Sequence, residues 1–284
     1  MTRQAFLLSL PALLLVCLFG VVMFSFAEIS LLSMKPGAAV FSGPPSLANY
    51  ERLLASSGAW RAVATTMRLS FIITVLCIVA GYPLARVLAR SPSASLRRFV
   101  LFCLVGTFLS GGVTRAYAWL IILGNRGIIN RGLEAFGLPT LKLLNNEFAV
   151  VVSVLNFVLP FFVMTLFGAL KTIPATLEDA SRNLGASPMR TFLHVTLPLS
   201  IPGLAVSTSL CFAMSLGAFL FPQMLGGGRV QVLATAIYER IQASYNIPEA
   251  AALAFLFFIL VIVILVVTGL LRRLVGRRFA GDPA

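Results

Sequence analysis

The sequence predicts an all-α integral membrane protein with six transmembrane helices. Apolar residues make up 59% of the 284 residues and charged residues only 11%, a composition outside the range of soluble domains. A helix that crosses a bilayer needs about 20 mostly apolar residues. We expect one transmembrane domain over residues 1–284. Its spans are predicted near residues 5–26, 62–82, 99–122, 148–170, 200–221 and 250–271.

The first apolar stretch has two interpretations. Arg3 precedes it, as a basic residue precedes the apolar part of a secretory signal. The apolar run is, however, longer than the roughly 7–15 residues that are usual for a signal peptide. We therefore expect a helix that is retained in the membrane.

Basic residues in the loops predict the orientation. If the N-terminus is cytoplasmic, the cytoplasmic loops and ends hold 12 basic and 3 acidic residues, and the outer loops hold 8 and 6. Short cytoplasmic loops carry the excess of Lys and Arg in membrane proteins. Both termini are therefore predicted to be cytoplasmic. The net charge of +13 is explained by these loops, so we expect no binding of nucleic acid.

No chemistry-bearing motif is found in the sequence. The four cysteines, Cys17, Cys77, Cys103 and Cys211, are isolated within apolar runs, and the single histidine is His194. This pattern predicts no metal site. The chain also lacks GxxxxGK[ST], the loop that cradles nucleotide phosphates. We expect a transport subunit that is not an enzyme and takes its energy from a partner.

The loop over residues 171–199 is polar and contains two helix signals in tandem. Pro174 marks the start of the first helix, and Gly185 is suited to end it in the left-handed conformation. Ser187 and Pro188 mark the start of a second helix, "MRTFLHVTL", which is predicted to end before Pro198.

The first loop helix carries an apolar stripe of Leu177, Ala180 and Leu184 at helical spacing. Such a stripe can fold back on its own bundle, or it can enter a groove of another protein. Periodicity favours neither interpretation.

The segments "EDASRNLGAS" and "FLHVTLP" resemble the EAA motif of bacterial ABC importer permeases, in which this loop docks in a cleft of the ATPase subunit. Asp stands here for the usual Glu and Ser for the second Ala, and Glu178 is a second candidate for the acidic position. The tail of the motif is filled by Val195, Leu197 and Pro198. The resemblance implies that contact with the ATPase is made by Glu178, Asp179, Ala180, Ser181, Gly185 and Phe192.

Other segments, among them "GYPLARVLAR" and "LPLSIPGL", are similar to the first permease of spermidine and putrescine importers. This resemblance implies the type I ABC importer permease fold in a bacterial inner membrane. It also implies a second homologous permease, two ATPase subunits that hold ATP and Mg, a periplasmic solute-binding protein and contact with membrane lipid. No cofactor is expected on this chain.

Polar residues within the predicted spans are candidates for the solute path. Arg68, Arg115 and Asn156 fall at similar depth, near the outer ends of their helices. Both arginines either line the path or extend outward to lipid headgroups. Tyr117 and Trp119 are candidates for the same path or for an interfacial aromatic belt.

The positive charge of these arginines leaves the identity of the solute undecided. Arg68 and Arg115 would repel a polyamine unless the partner permease supplies acidic groups, whereas they would attract an anionic or zwitterionic solute. An ion-coupled secondary transporter is a further alternative. Such a protein is expected to carry carboxylates within its spans, and the predicted spans have no Asp or Glu near their centres.

Overall fold

The computed structural model describes residues 3–33 and 44–279, and every regular element within them is helical. The two ends of the chain, which are predicted to be cytoplasmic, lie outside the described residues. The helices are α1 (Arg3–Leu31), α2 (Ala48–Ala55), α3 (Ser57–Arg90), α4 (Ala94–Leu109), α5 (Gly112–Leu123), α6 (Ile128–Ala135), α7 (Glu147–Thr172), α8 (Ala175–Asn183), α9 (Pro188–Thr191), α10 (Leu197–Leu216), α11 (Leu220–Leu225), α12 (Leu233–Gln242) and α13 (Ile247–Phe279).

Five helical stretches of the described residues are long and apolar enough to cross a membrane. A sixth candidate is α4 together with Gly112–Ala135, a pair bent by 107°. The predicted number of six spans therefore holds when the bent pair is counted as one span. The five unbroken stretches are Leu10–Leu31, Ser57–Arg90, Glu147–Thr172, Pro188–Leu216 and Ile247–Ile264.

The prediction of a continuous helix over residues 99–122 was wrong. The helix stops at Leu109, Ser110 and Gly111 adopt extended backbone conformations, and α5 begins at Gly112. Glycine is a poor helix former, and Gly/Ser pairs are common sites of sharp kinks. The sequence "SGG" therefore breaks a stretch that hydropathy alone shows as unbroken.

The predicted end of the second loop helix before Pro198 was also wrong. A π-helical turn, Phe192–Thr196, joins α9 directly to α10, and the N–H of Leu197 bonds to the carbonyl oxygen of Phe192. Pro198 is the second residue of α10, directly after the π-helical turn, where the regular bonding of the α-helix is already interrupted and a residue without an N–H is tolerated. The loop thus runs into the next span without a break.

The chain forms two compact units. The smaller one combines the residues up to Val63 with Leu233–Leu260. In it, the buried Asn49 of α2 donates hydrogen bonds of 2.7 and 2.8 Å to the carbonyl oxygens of Ser30 and Leu32, and so ties α2 to the end of α1. The prediction of a single transmembrane domain stays a prediction. The apolar core of this unit is Leu53, Ala59, Ala62, Leu233, Ala236, Ala252 and Leu253.

The larger unit is built around α7, which buries residues along most of its length. Two glycines let neighbouring helices approach it closely. A Cβ at Gly203 of α10 would overlap Ala169, and a Cβ at Gly81 of α3 would overlap the ring of Phe162. Small residues at helix crossings allow the close packing on which membrane bundles depend.

Candidate functional site

The end of α8 has the geometry that the sequence predicts. Gly185 has a φ of +84°, and its N–H bonds to the carbonyl oxygen of Arg182 at 2.9 Å. The N–H of Ala186 bonds to the carbonyl oxygen of Ser181 at 3.2 Å. This pair of bonds is the Schellman motif, which needs a left-handed residue at the glycine position. Ser187 then caps α9 by accepting from the N–H of Arg190 at 3.3 Å.

An open groove of about 830 Å³ lies between α8 and the chain that follows it. Its lining is mostly apolar, with Arg190 and His194 as basic members. Leu184, the C-cap residue of α8, leaves 89% of its surface exposed at this groove. The apolar and small residues that line it are Leu177, Ala180, Leu184, Gly185, Ala186, Val195, Pro198 and Leu199.

Two adjacent acidic residues of α8 differ in their exposure. The side chain of Asp179 is 66% exposed and lies 3.9 Å from Arg182. The side chain of Glu178 is only 5% exposed. Of the two candidates for the acidic position of the motif, Asp179 is open to a partner and Glu178 is buried within the protein.

Glu178 is held by ionic and hydrogen-bonding contacts. Its Oε1 accepts from Nε of Arg90 at 3.0 Å and from Oγ1 of Thr196 at 3.1 Å. Its Oε2 lies 4.0 Å from Arg182, one turn further along α8. Buried carboxylates require such partners, because an unpaired charge in a low-dielectric interior is strongly unfavourable. The sequence analysis did not identify Arg90 and Thr196.

Phe192 also faces the interior of the protein. Its ring meets that of Tyr82 edge to face, with 5.5 Å between centroids, and the guanidinium of Arg86 lies 4.6 Å above it. Tyr82 in turn hydrogen-bonds through its hydroxyl to Ser200 at 2.8 Å. Of the remaining predicted loop residues, Ala180 is exposed, and Ser181 lines the groove and hydrogen-bonds to Thr191 at 3.1 Å.

Arg68 is paired with a carboxylate. It forms an ion pair with Glu147, the first residue of α7, and the side chains are 57% and 47% exposed. The sequence analysis had assigned Glu147 to an outer loop and had placed no acidic partner near Arg68. The sequence did contain a signal for this pair. Glu147 directly precedes the predicted span 148–170 on the outer side, and Arg68 lies near the outer end of the predicted span 62–82.

Arg115 is buried and does not extend outward to headgroups. Only 7% of the residue is exposed. Its guanidinium donates to the carbonyl oxygens of Thr107 and Ser110, the latter at 2.8 Å, and to the hydroxyl of Ser110. It also lies 5.5 Å from the ring centroid of Phe157. Arg115 thus satisfies carbonyl groups at the end of α4, where no further helical N–H groups are available.

Arg115 and Asn156 line the same open cleft of about 430 Å³. Cys103 and Thr107 of α4 line it as well, and both border a second cleft of about 210 Å³ in which Asn156 is again present. Arg68 is not among the lining residues of either cleft. The structure therefore brings together two of the three polar residues that sequence depth had grouped.

The aromatic candidates on α5 do not line these clefts. Tyr117 is 57% exposed and Trp119 is half-buried. Neither contributes to the lining beside Arg115. Their assignment to the solute path stays a prediction.

Comparison with known proteins identifies the family. Residues 78–281 match the family described as "Binding-protein-dependent transport system inner membrane component". The spermidine/putrescine transport system permease protein PotB of Haemophilus influenzae is 28% identical over 246 residues, which cover 86% of this chain and 85% of PotB. The molybdenum transport system permease protein ModB of Mycobacterium bovis is 34% identical over 220 residues, covering 76% and 80% of the two chains.

The fold is shared with a solved importer. A chain of the bacterial alginate ABC transporter, in complex with alginate pentasaccharide-bound periplasmic protein, superimposes with a TM-score of 0.79. The match covers 93% of this chain and 92% of the other at 18% identity, so it shows the fold alone. The chain belongs to the family of binding-protein-dependent transport system inner membrane components and is an inner-membrane permease of an ABC importer, not a catalytic enzyme.

Proposed function

We propose that this permease forms half of the solute path and that an ATPase subunit docks on its 171–199 loop. The observation that carries the proposal is the groove beside α8, in which Leu184 is 89% exposed. Leu184 and the mostly apolar lining of the groove together form a hydrophobic surface that a docking partner can cover. Helices dock into grooves of other proteins through apolar residues three or four positions apart, the spacing of Leu177, Ala180 and Leu184.

The loop is proposed to lie on the cytoplasmic side. The supporting observation is the distribution of basic residues, which are in excess in the loops on that side. Asp179, whose side chain is exposed on α8, is then open to a basic residue of the ATPase, while Arg190 offers positive charge at the groove. In this orientation Arg68, Glu147 and α6 lie toward the periplasm.

The proposed assembly contains further subunits besides this permease. A second homologous permease completes the path, two ATPase subunits bind ATP and Mg, and a periplasmic binding protein delivers the solute. The family description, a binding-protein-dependent transport system, supports the last of these. Closure of the ATPase pair would move the two loops and rock the helix bundles between inward and outward access. Membership of the ABC importer permeases excludes the alternative of an ion-coupled secondary transporter.

A polyamine is the proposed solute. Its support is the similarity to permeases named for spermidine and putrescine over most of the chain. The charge conflict suggested by the sequence is weaker in the structure, because Glu147 pairs with Arg68 and carbonyl oxygens surround the guanidinium of Arg115. Arg68 is thus paired with an opposite charge, and the dipoles of two carbonyl groups offset part of the positive potential of Arg115.

An anionic or zwitterionic solute is the second candidate. The observation that favours it is Arg115, which lines the cleft beside Asn156, whereas no carboxylate of the described residues does so. Among the similar proteins, one is named for molybdenum transport and another imports the acidic polysaccharide alginate.

Docking can be tested by comparing Leu184 with Phe136, a position of similar exposure and backbone geometry. Leu184 and Phe136 are both exposed C-cap residues followed by a glycine of positive φ, at the ends of α8 and α6. We expect Leu184→Asp to release the ATPase from the purified complex and Phe136→Asp to retain it. Retention of the ATPase by Leu184→Asp would contradict the docking assignment.

The solute can be tested with the complete complex in lipid. ATPase activity is measured with the binding protein and spermidine, putrescine, molybdate or a zwitterionic amino acid. Stimulation by a polyamine alone supports the first candidate. Stimulation by an anion or zwitterion alone removes the polyamine assignment and makes Arg115 a solute contact.

A further inference from the structure

One buried carboxylate links the ends of three membrane helices. Oε1 of Glu178 accepts from Arg90, the last residue of α3, and from Thr196, the residue that precedes α10. Arg90 also donates through Nη2 to the carbonyl oxygen of Ile173 at 2.6 Å. Ile173 is the C-cap residue of α7. The side chains of Glu178 and Arg90 are only 5% and 19% exposed.

The contact with α3 continues for two more turns along the same helix face. Arg86 and Tyr82, four and eight residues before Arg90, both contact Phe192 in the π-helical turn. Tyr82 adds the hydrogen bond to Ser200 in the first turn of α10. Residues at this spacing lie in one row on a helix. One row of α3 therefore lies against the chain that leads from the loop into the next span.

We propose that the Glu178–Arg90 pair is the joint that makes α8 move as one body with the ends of α3, α7 and α10. The proposal rests on the docking function of the loop given above. Glu178 and Arg90 are positioning residues that transmit displacement, and they do not contact the ATPase or the solute. The two adjacent acidic residues then have different roles. Glu178 pairs with Arg90 inside the protein, and Asp179 is open to the ATPase.

Directional bonds suit such a joint better than apolar packing does. An apolar contact is non-directional and allows helices to slide, whereas a carboxylate shared by Arg90 and Thr196 fixes distance and angle. Removal of either charge breaks the bond between Arg90 and Glu178 and loosens this geometry. The proposed effect is therefore on coupling between ATP hydrolysis and transport, with the groove left intact.

The test measures solute imported per ATP hydrolysed by the complete complex in lipid. Glu178→Gln and Arg90→Met are compared with Glu249→Gln. Glu249 pairs with Arg240 at 3.1 Å with similar burial of the arginine, outside the loop. We expect the two joint variants to keep the ATPase bound and to lower the ratio about tenfold, since each breaks the buried Glu178–Arg90 pair. Glu249→Gln is expected to keep the normal ratio.

A milder variant keeps the proposal testable if Glu178→Gln fails to fold. Thr196→Val removes only the hydrogen bond between Glu178 and the residue that precedes α10. We expect this variant to assemble with the ATPase and to import less solute per ATP hydrolysed. A normal ratio in a folded Glu178→Gln complex would overturn the proposal. Loss of the bound ATPase in that complex would also overturn it, because Glu178 would then act at the docking surface.

The Leu184→Asp variant separates this inference from the docking proposal. If Leu184→Asp releases the ATPase and Glu178→Gln has a normal ratio, only the joint is wrong. If Leu184→Asp retains the ATPase, the docking assignment itself is wrong, and the joint falls with it.

Discussion

The guanidinium of Arg115 donates a hydrogen bond to the carbonyl oxygen of Thr107, across the break between α4 and α5. Together with its bonds to Ser110, this contact places a cation at the C-terminal end of α4, where the partial charge of the helix is negative. Unsatisfied carbonyl groups are costly within a membrane. Arg115 therefore allows a predicted span to bend by 107° inside the protein.

Replacement of Arg115 by methionine should destabilise the protein more than the same change at Arg68. Arg115→Met removes the guanidinium bonds to the part-buried carbonyl oxygens of Thr107 and Ser110, which costs about 1–3 kcal/mol. Arg68 pairs with Glu147 at an exposed position, where an ion pair contributes about 0–1 kcal/mol. Thermal unfolding of the two variants in detergent measures the difference. Equal midpoints would show that Arg115 does not support the break.

Valine at Gly185 should reduce transport more than valine at Gly137. Both glycines have positive φ, at +84° and +71°, and a Cβ at either meets nothing within 4 Å. The left-handed conformation costs a β-branched residue about 1–2 kcal/mol, so each helix end is strained to a similar degree. We expect Gly185→Val to insert normally but to lose uptake relative to ATP hydrolysis. Normal uptake by this variant, measured beside Gly137→Val, would count against the proposed loop function.

Cys103 should react with a charged, membrane-impermeant thiol reagent when the complex is in lipid. It lines the cleft shared by Arg115 and Asn156, which is proposed to open to the solute path. Cys17 is also exposed but lies in the apolar candidate span Leu10–Leu31, where lipid should protect it. Mass spectrometry identifies the modified cysteine. Modification of Cys17 without Cys103 would place the cleft outside the aqueous path.

Alanine at Gly203 should lower thermal stability, and alanine at Gly168 should not. A methyl group at Gly203 overlaps Ala169 at the crossing of α10 and α7, and overpacking of this kind costs about 1–3 kcal/mol. A Cβ at Gly168 has nothing within 4 Å, so the higher helix propensity of alanine should be neutral or slightly stabilising there. Thermal midpoints of the two variants give the comparison. A larger loss at Gly168 would contradict the close helix crossing.

Local signals in the loop were sufficient to predict the junction between its two helices. Gly185 adopts the left-handed conformation, and Ser187 caps the following helix, because both features depend on the backbone within a few residues. The same local rules failed at Pro198. A proline is tolerated near the start of a helix and disfavoured in its interior. Pro198 is the second residue of α10, directly after the π-helical turn, so the helix continues through it.

Side-chain roles in the loop were beyond the reach of periodicity. Glu178 and Asp179 are adjacent acidic residues, and either fitted the acidic position of the motif. Their difference depends on Arg90, which is distant in sequence and reaches Glu178 only because α3 ends beside α8. Arg68 and Arg115 were likewise indistinguishable until Glu147 and the carbonyl groups near Ser110 were located.

The sequence by itself determined the membrane class, the number and approximate position of the apolar stretches, and the capped loop at 171–199. These properties follow from composition and from interactions between residues close along the chain. Only the tertiary structure decided that Arg115 bonds to carbonyl groups at a broken helix, that Glu178 is buried against Arg90, and that Leu184 remains exposed. Those outcomes depend on which helices, distant in sequence, pack against each other. The burial and pairing of a charged side chain are set by that packing and not by the residue type alone.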